Sequence, residues 1–352
     1  MAKIICLLFF HFPIFLWSNI LNTDSIFSFI PNNFTGQIAI KHNSDFIFKE
    51  NFGAKERVFG TLINDSTVFN IGQISQTIIY YIYENLFNNS QIQPTDKVNK
   101  YIKNFPYENT EIEHLLNHQS GLTHLYVKLY HRKVYNNWNL KLSQRGIRFD
   151  NEDILDILIK EKPGLIFSPG DSTDYSDINY LILTSLIEKI THISFPEYVK
   201  GILKEKLIFK PVLSASSDTI FNKAYGYRLF EDSTFQLCEN LKTRGLPFDD
   251  GTYGNQHIYL SASNLANWGQ FIFKKIDLTV LKKNLNKEIM GGLKYDKNLN
   301  IISKNGAFGG TSSKLIFIPE KEIVLTVNSN VLNAFDLDKA LIPLLRYLQK
   351  TN

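Results

Sequence analysis

The strongest constraint on this chain is a pair of strand-like segments at its two ends. Near the start, Gln37-Ile38-Ala39-Ile40-Lys41 and Asp45-Phe46-Ile47-Phe48-Lys49 alternate apolar with polar residues, with His42-Asn43-Ser44 between them as a turn. Near the end, Ser313 to Ile318 (SKLIFI) and Ile323 to Asn328 (IVLTVN) flank the charged turn Pro319-Glu320-Lys321-Glu322. Strands this far apart can share one sheet if what lies between them is inserted as a second lobe. That order predicts an α+β fold.

The middle of the chain reads as helices. Ile71 to Phe87 (IGQISQTIIYYIYENLF) is one apolar helical run, and residues 111–118, 151–160 and 178–190 carry apolar residues at three and four spacing. Asp150-Asn151 before Glu152 and Asp153 offers a cap and an acidic first turn. Asp65-Ser66-Thr67 is a candidate cap for the run that follows it. Pro163-Gly164 and Pro169-Gly170 punctuate the stretch before the last of these helices. A closing helix is expected from about Asp336 to Gln349. The chain shows no internal repeat.

Composition removes several function classes. Of 352 residues, 38 are Lys or Arg and 34 are Asp or Glu, a net charge of +4 with no basic stripe, so no nucleic-acid surface is expected. Two cysteines, Cys6 and Cys238, exclude a disulfide scaffold and a thiolate zinc site. No HExxH helix is present, so a zinc hydrolase is not expected. His114 and His118 stand at i, i+4, but no third ligand or acidic partner is evident, and both read as packing residues. No metal and no cofactor is expected.

Residues 1–19 (MAKIICLLFFHFPIFLWSN) place one cation, Lys3, before an apolar run from Ile4 to Trp17. A bilayer span needs about 20 apolar residues, so this run is short and reads as a secretory signal. The cleavage region, Leu16-Trp17-Ser18, is poor, which keeps an uncleaved N-terminal anchor as the rival. The expected location is exported: periplasmic or extracellular, with membrane contact only through an uncleaved N-terminal segment.

Ordered blocks then resemble the serine β-lactamase and penicillin-binding-protein family, in its class C and esterase-like branch. They are Phe34-Thr35-Gly36, Asn51-Phe52-Gly53, Phe69-Asn70-Ile71-Gly72, Ile112 to Leu122 (IEHLLNHQSGL), Pro169-Gly170 with Tyr175-Ser176-Asp177 and Tyr180, and Lys304-Asn305-Gly306 with Gly309-Gly310. The resemblance spans Phe34 to Leu348. It implies an antiparallel sheet flanked by N- and C-terminal helices, an αβ lobe over about 30–70 and 290–352, and a helical lobe over about 71–289. It also implies three motifs, S-x-x-K, Y-x-N or S-D-N, and K-T-G, around one cleft.

At those places the sequence departs from the family. The resemblance puts the nucleophile at Gln73 and the general base at Gln76. An amide is no nucleophile and accepts no proton near neutral pH. Tyr175 stands at the tyrosine of the second motif as a catalytic remnant, and Asp177 replaces its usual asparagine. Asp177 would oppose an anionic ligand, or pair with Lys304 where the two face each other. Lys304-Asn305-Gly306 keeps the cation and glycine of the third motif, and the resemblance gives the oxyanion-hole donors as the backbone N–H groups of Gln73 and Ala307. Ser75 is two residues past Gln73, about 200° round a helix, and points elsewhere. Ser120 reads as a structural loop residue, and Tyr259 and Trp268 as packing. His257 borders the expected cleft.

The expectation is therefore a degenerate member of that serine hydrolase family. Gln73, Asp177, Lys304, Asn305, Gly306 and Ala307 line a cleft for a small peptide-like or carboxylate ligand, or for a partner protein. The alternative is an active esterase or D-alanyl peptidase with a relocated nucleophile such as Ser75.

Overall fold

A computed structural model describes residues 22–123, 150–238 and 251–350, apart from positions 205, 209, 215–217, 286, 333 and 335. The N-terminal signal or anchor reading, and residue Cys6, lie outside the described residues.

The terminal segments do share one sheet. Its strands run in the order β10 (Lys294–Asp296), β11 (Ile301–Phe308), β12 (Thr311–Ile318), β13 (Ile323–Ser329), β1 (Gly36–His42) and β2 (Asp45–Phe52). Every neighbour is antiparallel; β1 pairs with β13 from Gly36 opposite Ser329 to His42 opposite Ile323. Asn43, at φ +52°, turns the first hairpin in the left-handed conformation that asparagine tolerates.

Both faces of this sheet are covered, so its central strands are apolar on both sides. Ile38, Ile40, Ile316, Leu325 and Val327 pack with Leu341, Leu344, Leu345 and Leu348 of the C-terminal helix Leu337–Lys350. The short N-terminal helix Thr23–Phe27 joins that layer through Ile26. On the other face Ala39, Ile302, Leu315 and Val324 meet the helix Ala262–Phe273, capped by Ser261. Gly269 of that helix has no room for a side chain: a Cβ would lie 2.5 Å from Leu315 Cδ1.

Below lie the helices Ser75–Asn88, Ile112–Leu116, Asn151–Glu161, Asp177–Thr191 and Phe195–Leu203. Asp150 caps the third of these by accepting from the Glu152 and Asp153 amides, as its sequence signature predicts. The first begins later than the apolar run suggested, because Gly72–Ile74 forms a separate 3-10 turn. Asp65 does not cap it; Asp65 instead pairs with Lys49 and accepts from Asn51. The stretch read as helical also holds short strands: β6 (Val212–Leu213) and β5 (Phe69–Asn70) pair with β9 (Ile258–Leu260), and β7 (Tyr227–Leu229) with β8 (Phe235–Leu237). Two- and three-residue strands carry too little alternation to read. The remaining strands are β3 (Ala54–Glu56), β4 (Thr61–Leu62) and β14 (Val331–Leu332). No helix of the described residues is long and apolar enough to cross a membrane.

Candidate functional site

Two glycines set the site by removing side chains between a turn and a strand. A Cβ on Gly306 of β11 would lie 2.0 Å from the Ile71 carbonyl oxygen and 3.0 Å from the Gln73 nitrogen. A Cβ on Gly72, at φ +53°, would lie 2.5 Å from the Ala307 nitrogen. Only glycine permits this backbone contact. β10 pairs with β11 only over Ile301 to Ser303, so on that edge Lys304 to Phe308 meet the Gly72–Ile74 turn and no strand of the described residues.

Gln73 therefore sits directly over β11. Its Oε1 accepts a hydrogen bond of 2.9 Å from the Ala307 N–H. That N–H is one of the two donors the resemblance assigns to the oxyanion hole.

Gln76 is fully buried one helical turn on. Its Nε2 donates to Asn255 Oδ1 at 2.6 Å and to the Tyr175 hydroxyl at 3.2 Å. Asn255 Nδ2 donates to the Asp177 carbonyl at 3.0 Å, joining the second motif to the first. Gln76 Oε1 is buried with no hydrogen-bond partner among the described residues. Burial, followed by the charge of Asp177, raises the Tyr175 pKa, so the phenol keeps its proton. The Tyr175 ring packs on His118 at 4.6 Å between centroids.

Lys304 is buried at 4% exposure and reaches Glu288 Oε2 at 3.1 Å. Burial lowers its pKa, and the Glu288 charge opposes that shift. The carboxylate on Lys304 is thus Glu288, not Asp177; Asp177 turns its Oδ1 to the Ile178 amide at the start of its own helix. Gly292, at φ +80°, leaves the space these groups use: a Cβ there would be 2.0 Å from Lys304 Nζ and 3.0 Å from Gln76 Oε1.

On the outer side, Gln73, Asn305 and Ala307 border a cavity of about 310 Å³. Lys314 of β12 is buried there, donating to Asn305 Oδ1 at 3.1 Å and pairing with Asp338 at the start of the C-terminal helix. Both lysines at the cleft therefore already carry a carboxylate from this chain.

The other candidate residues are engaged away from Gln73. Ser75 Oγ is buried and donates to the Gly254 carbonyl at 2.7 Å. Ser120 Oγ donates to Asn179 Oδ1 at 2.6 Å and accepts from the Leu122 amide. Trp268 Nε1 donates to Thr77 Oγ1 at 2.9 Å, and Tyr259 is buried. His257 is buried, with Nδ1 donating to the Thr252 carbonyl at 2.7 Å. His114 and His118 do not share a helical face, because the helix ends at Leu116 and His118 adopts φ +55°. His114 gathers instead with Glu111 and Glu113, donor atoms within 4.8 Å of one another, while Glu111 also pairs with Lys97. The acidic neighbours were not evident from spacing alone.

Sequence reasoning missed Asn255, Glu288, Lys314 and Asp338. Asn255 had a partial signal in the Gly254-Asn255-Gln256-His257 stretch; Glu288 and Asp338 stand in unremarkable charged segments.

The geometry brings Gln73, Gln76, Tyr175, Lys304 and Ala307 to one cleft. The chain is 25% identical over 252 residues to "Penicillin-binding protein 4*" of Bacillus subtilis, covering 69% of this chain and 53% of that protein. It thus spans about half the length of the curated relatives it matches. Among solved structures it superposes on FmtA from Staphylococcus aureus with a TM-score of 0.70 at 18% identity, covering 94% of this chain and 88% of that one. It superposes equally, at 17% identity, on a penicillin binding protein from Bacillus halodurans, covering 93% and 98%. These structural likenesses establish the β-lactamase/transpeptidase-like fold. The beta-lactamase family model matches residues 35–347, and the chain belongs to that family of serine β-lactamase-related proteins.

Proposed function

We propose that the protein is a catalytically degenerate member of its family, exported from the cytoplasm, that uses the cleft for binding and forms no acyl-enzyme. One observation carries this reading: the Gln73 amide oxygen already accepts the Ala307 N–H, the donor that the family resemblance assigns to an oxyanion. Catalysis in the family pattern needs a hydroxyl with a base in hydrogen-bond reach and an empty oxyanion hole. Gln73 and Gln76 supply neither hydroxyl nor base. Tyr175, with its pKa raised by burial, is no substitute base.

The ligand class that fits is a small peptide-like molecule with a carboxylate, or the equivalent end of a partner protein. Lys304 and Lys314 are the cations it would meet. Glu288 and Asp338 occupy them now, so a ligand carboxylate enters by exchange with a side chain already exposed to water. The relocated-nucleophile alternative loses support from Ser75, whose hydroxyl is buried on the Gly254 carbonyl.

Labelling the pure protein with a fluorescent penicillin tests the reading, with no covalent band expected. Hydrolysis of a small ester that disappears in Ser75→Ala would instead establish the alternative. Export rests on Lys3 and the apolar run from Ile4 to Trp17. Cell fractionation with N-terminal sequencing of the mature chain checks it, and an intact N-terminus in the cytoplasmic fraction contradicts it.

A further inference from the structure

A second cavity, of about 700 Å³, follows the helix Phe195–Leu203 and shares no lining residue with the Gln73 cleft. Its volume lies in the range of small-molecule sites. Leu213 and Ile220 line it and are buried. Leu207 and Pro211 extend the apolar wall, and Ile208 and Phe221 stand in solvent at 54% and 92% exposure. A fully exposed phenylalanine beside an open apolar cavity is the kind of patch that marks a binding surface.

The charge of the rim selects the ligand. Lys200, Lys204 and Lys210 line the same cavity, and no carboxylate is among its described lining residues. All three lysines are exposed. Long lysine stems lie along apolar surface while their ammonium groups stay in water, so the rim keeps its charge as the interior stays apolar. Three like charges around one opening repel, and an anion placed among them relieves that repulsion. An apolar body gains from burial against Leu213 and Ile220 in proportion to its methylenes.

We propose that this cavity binds a single-chain anionic amphiphile of the fatty-acid class, with the chain on Leu213 and Ile220 and the head among Lys200, Lys204 and Lys210. Neither an apolar neutral molecule nor a small hydrophilic anion uses both parts of the site. The proposal is independent of the Gln73 cleft and stands or falls separately from it.

Titrating the full chain with 11-(dansylamino)undecanoic acid tests the site. The expected result is a saturable rise in fluorescence that dodecanoate reverses and dodecyl maltoside does not. Reversing the rim with Lys200→Glu, Lys204→Glu and Lys210→Glu should weaken binding roughly tenfold or more, with an unchanged circular dichroism spectrum. Phe221→Ser, at a position exposed enough to be tolerated, should weaken it as well. The proposal is overturned by absence of saturable binding, by equal displacement with dodecyl maltoside, or by affinity indifferent to the charge reversal. Retention on phosphatidylglycerol vesicles without binding of the monomeric probe would assign the patch to a membrane surface and also overturn it.

Discussion

The Gln73 side chain and the Ala307 amide are joined by a 2.9 Å hydrogen bond across the gap between the 3-10 turn and strand β11. Under the proposed reading, Gln73 both brings no nucleophile and engages a donor that would otherwise face a reacting oxygen. A reacting carbonyl would have to displace this tethered amide before reaching that N–H.

Removing the amide should expose the donor. Gln73→Ala is expected to speed hydrogen exchange of the Ala307 amide by roughly fivefold, the equivalent of a hydrogen bond worth about 1 kcal/mol. Exchange measured by NMR, with amides of β13 as internal reference, reads this directly. Unchanged protection would mean that another acceptor holds the Ala307 N–H.

Restoring both missing groups tests whether the rest of the cleft is intact. Gln73→Ser with Gln76→Lys puts a hydroxyl and an amine three residues apart, beside Tyr175 and the strand β11. Groups that act as a unit give non-additive effects. The double variant is expected to form a penicillin adduct, and each single variant is expected to form none. An adduct on Gln73→Ser alone would show that Gln76 is not the missing base.

Glycine 306 should tolerate no side chain. Its Cβ would sit 2.0 Å from the Ile71 carbonyl oxygen, so Gly306→Ala is expected to cost about 1–3 kcal/mol by overpacking and to unseat Gln73. Gly201 in the helix Phe195–Leu203 meets nothing within 4 Å of its Cβ position. Gly201→Ala is expected to stabilise by about 0.5–1 kcal/mol. Thermal melts of the two variants should move in opposite directions.

Lys304 gives the cleft a pH dependence of definite sign. Its pKa in the folded chain lies below its ordinary value of 10.5, chiefly because it is buried. The unfolded chain therefore binds this proton more tightly, and the Lys304 contribution to stability rises with pH in the window below 10.5. Melting temperatures of wild type and Lys304→Met, compared from neutral to alkaline pH, should shift in favour of wild type as pH rises. A constant difference would mean that Glu288 cancels the burial effect.

Much of the fold was legible because its signals are periodic. The first hairpin, the β12–β13 pair, the Asp150 cap and the closing helix all sit within a few residues of where alternation and capping put them. That Gln73, Gln76, Tyr175, Lys304 and Gly306 come together follows from their place in ordered motifs. Glu288 and Asn255 were not legible, because each reaches the cleft from a segment far along the chain, positioned by packing that leaves no local pattern. Charge alone allows Asp177 to pair with Lys304 where the two face each other. Geometry decides otherwise, since Asp177 opens a helix and turns to that helix's own amide. The two-residue strands β5 and β6 were missed for a related reason: their pairing with β9 is a tertiary event that two residues cannot announce.

Under the proposed reading, no acyl-enzyme forms at Gln73 or elsewhere in the cleft. Intact-protein mass spectrometry after incubation with excess benzylpenicillin measures this most directly. The wild-type chain is expected to keep its unmodified mass. A stoichiometric increase by the mass of one penicillin would contradict it.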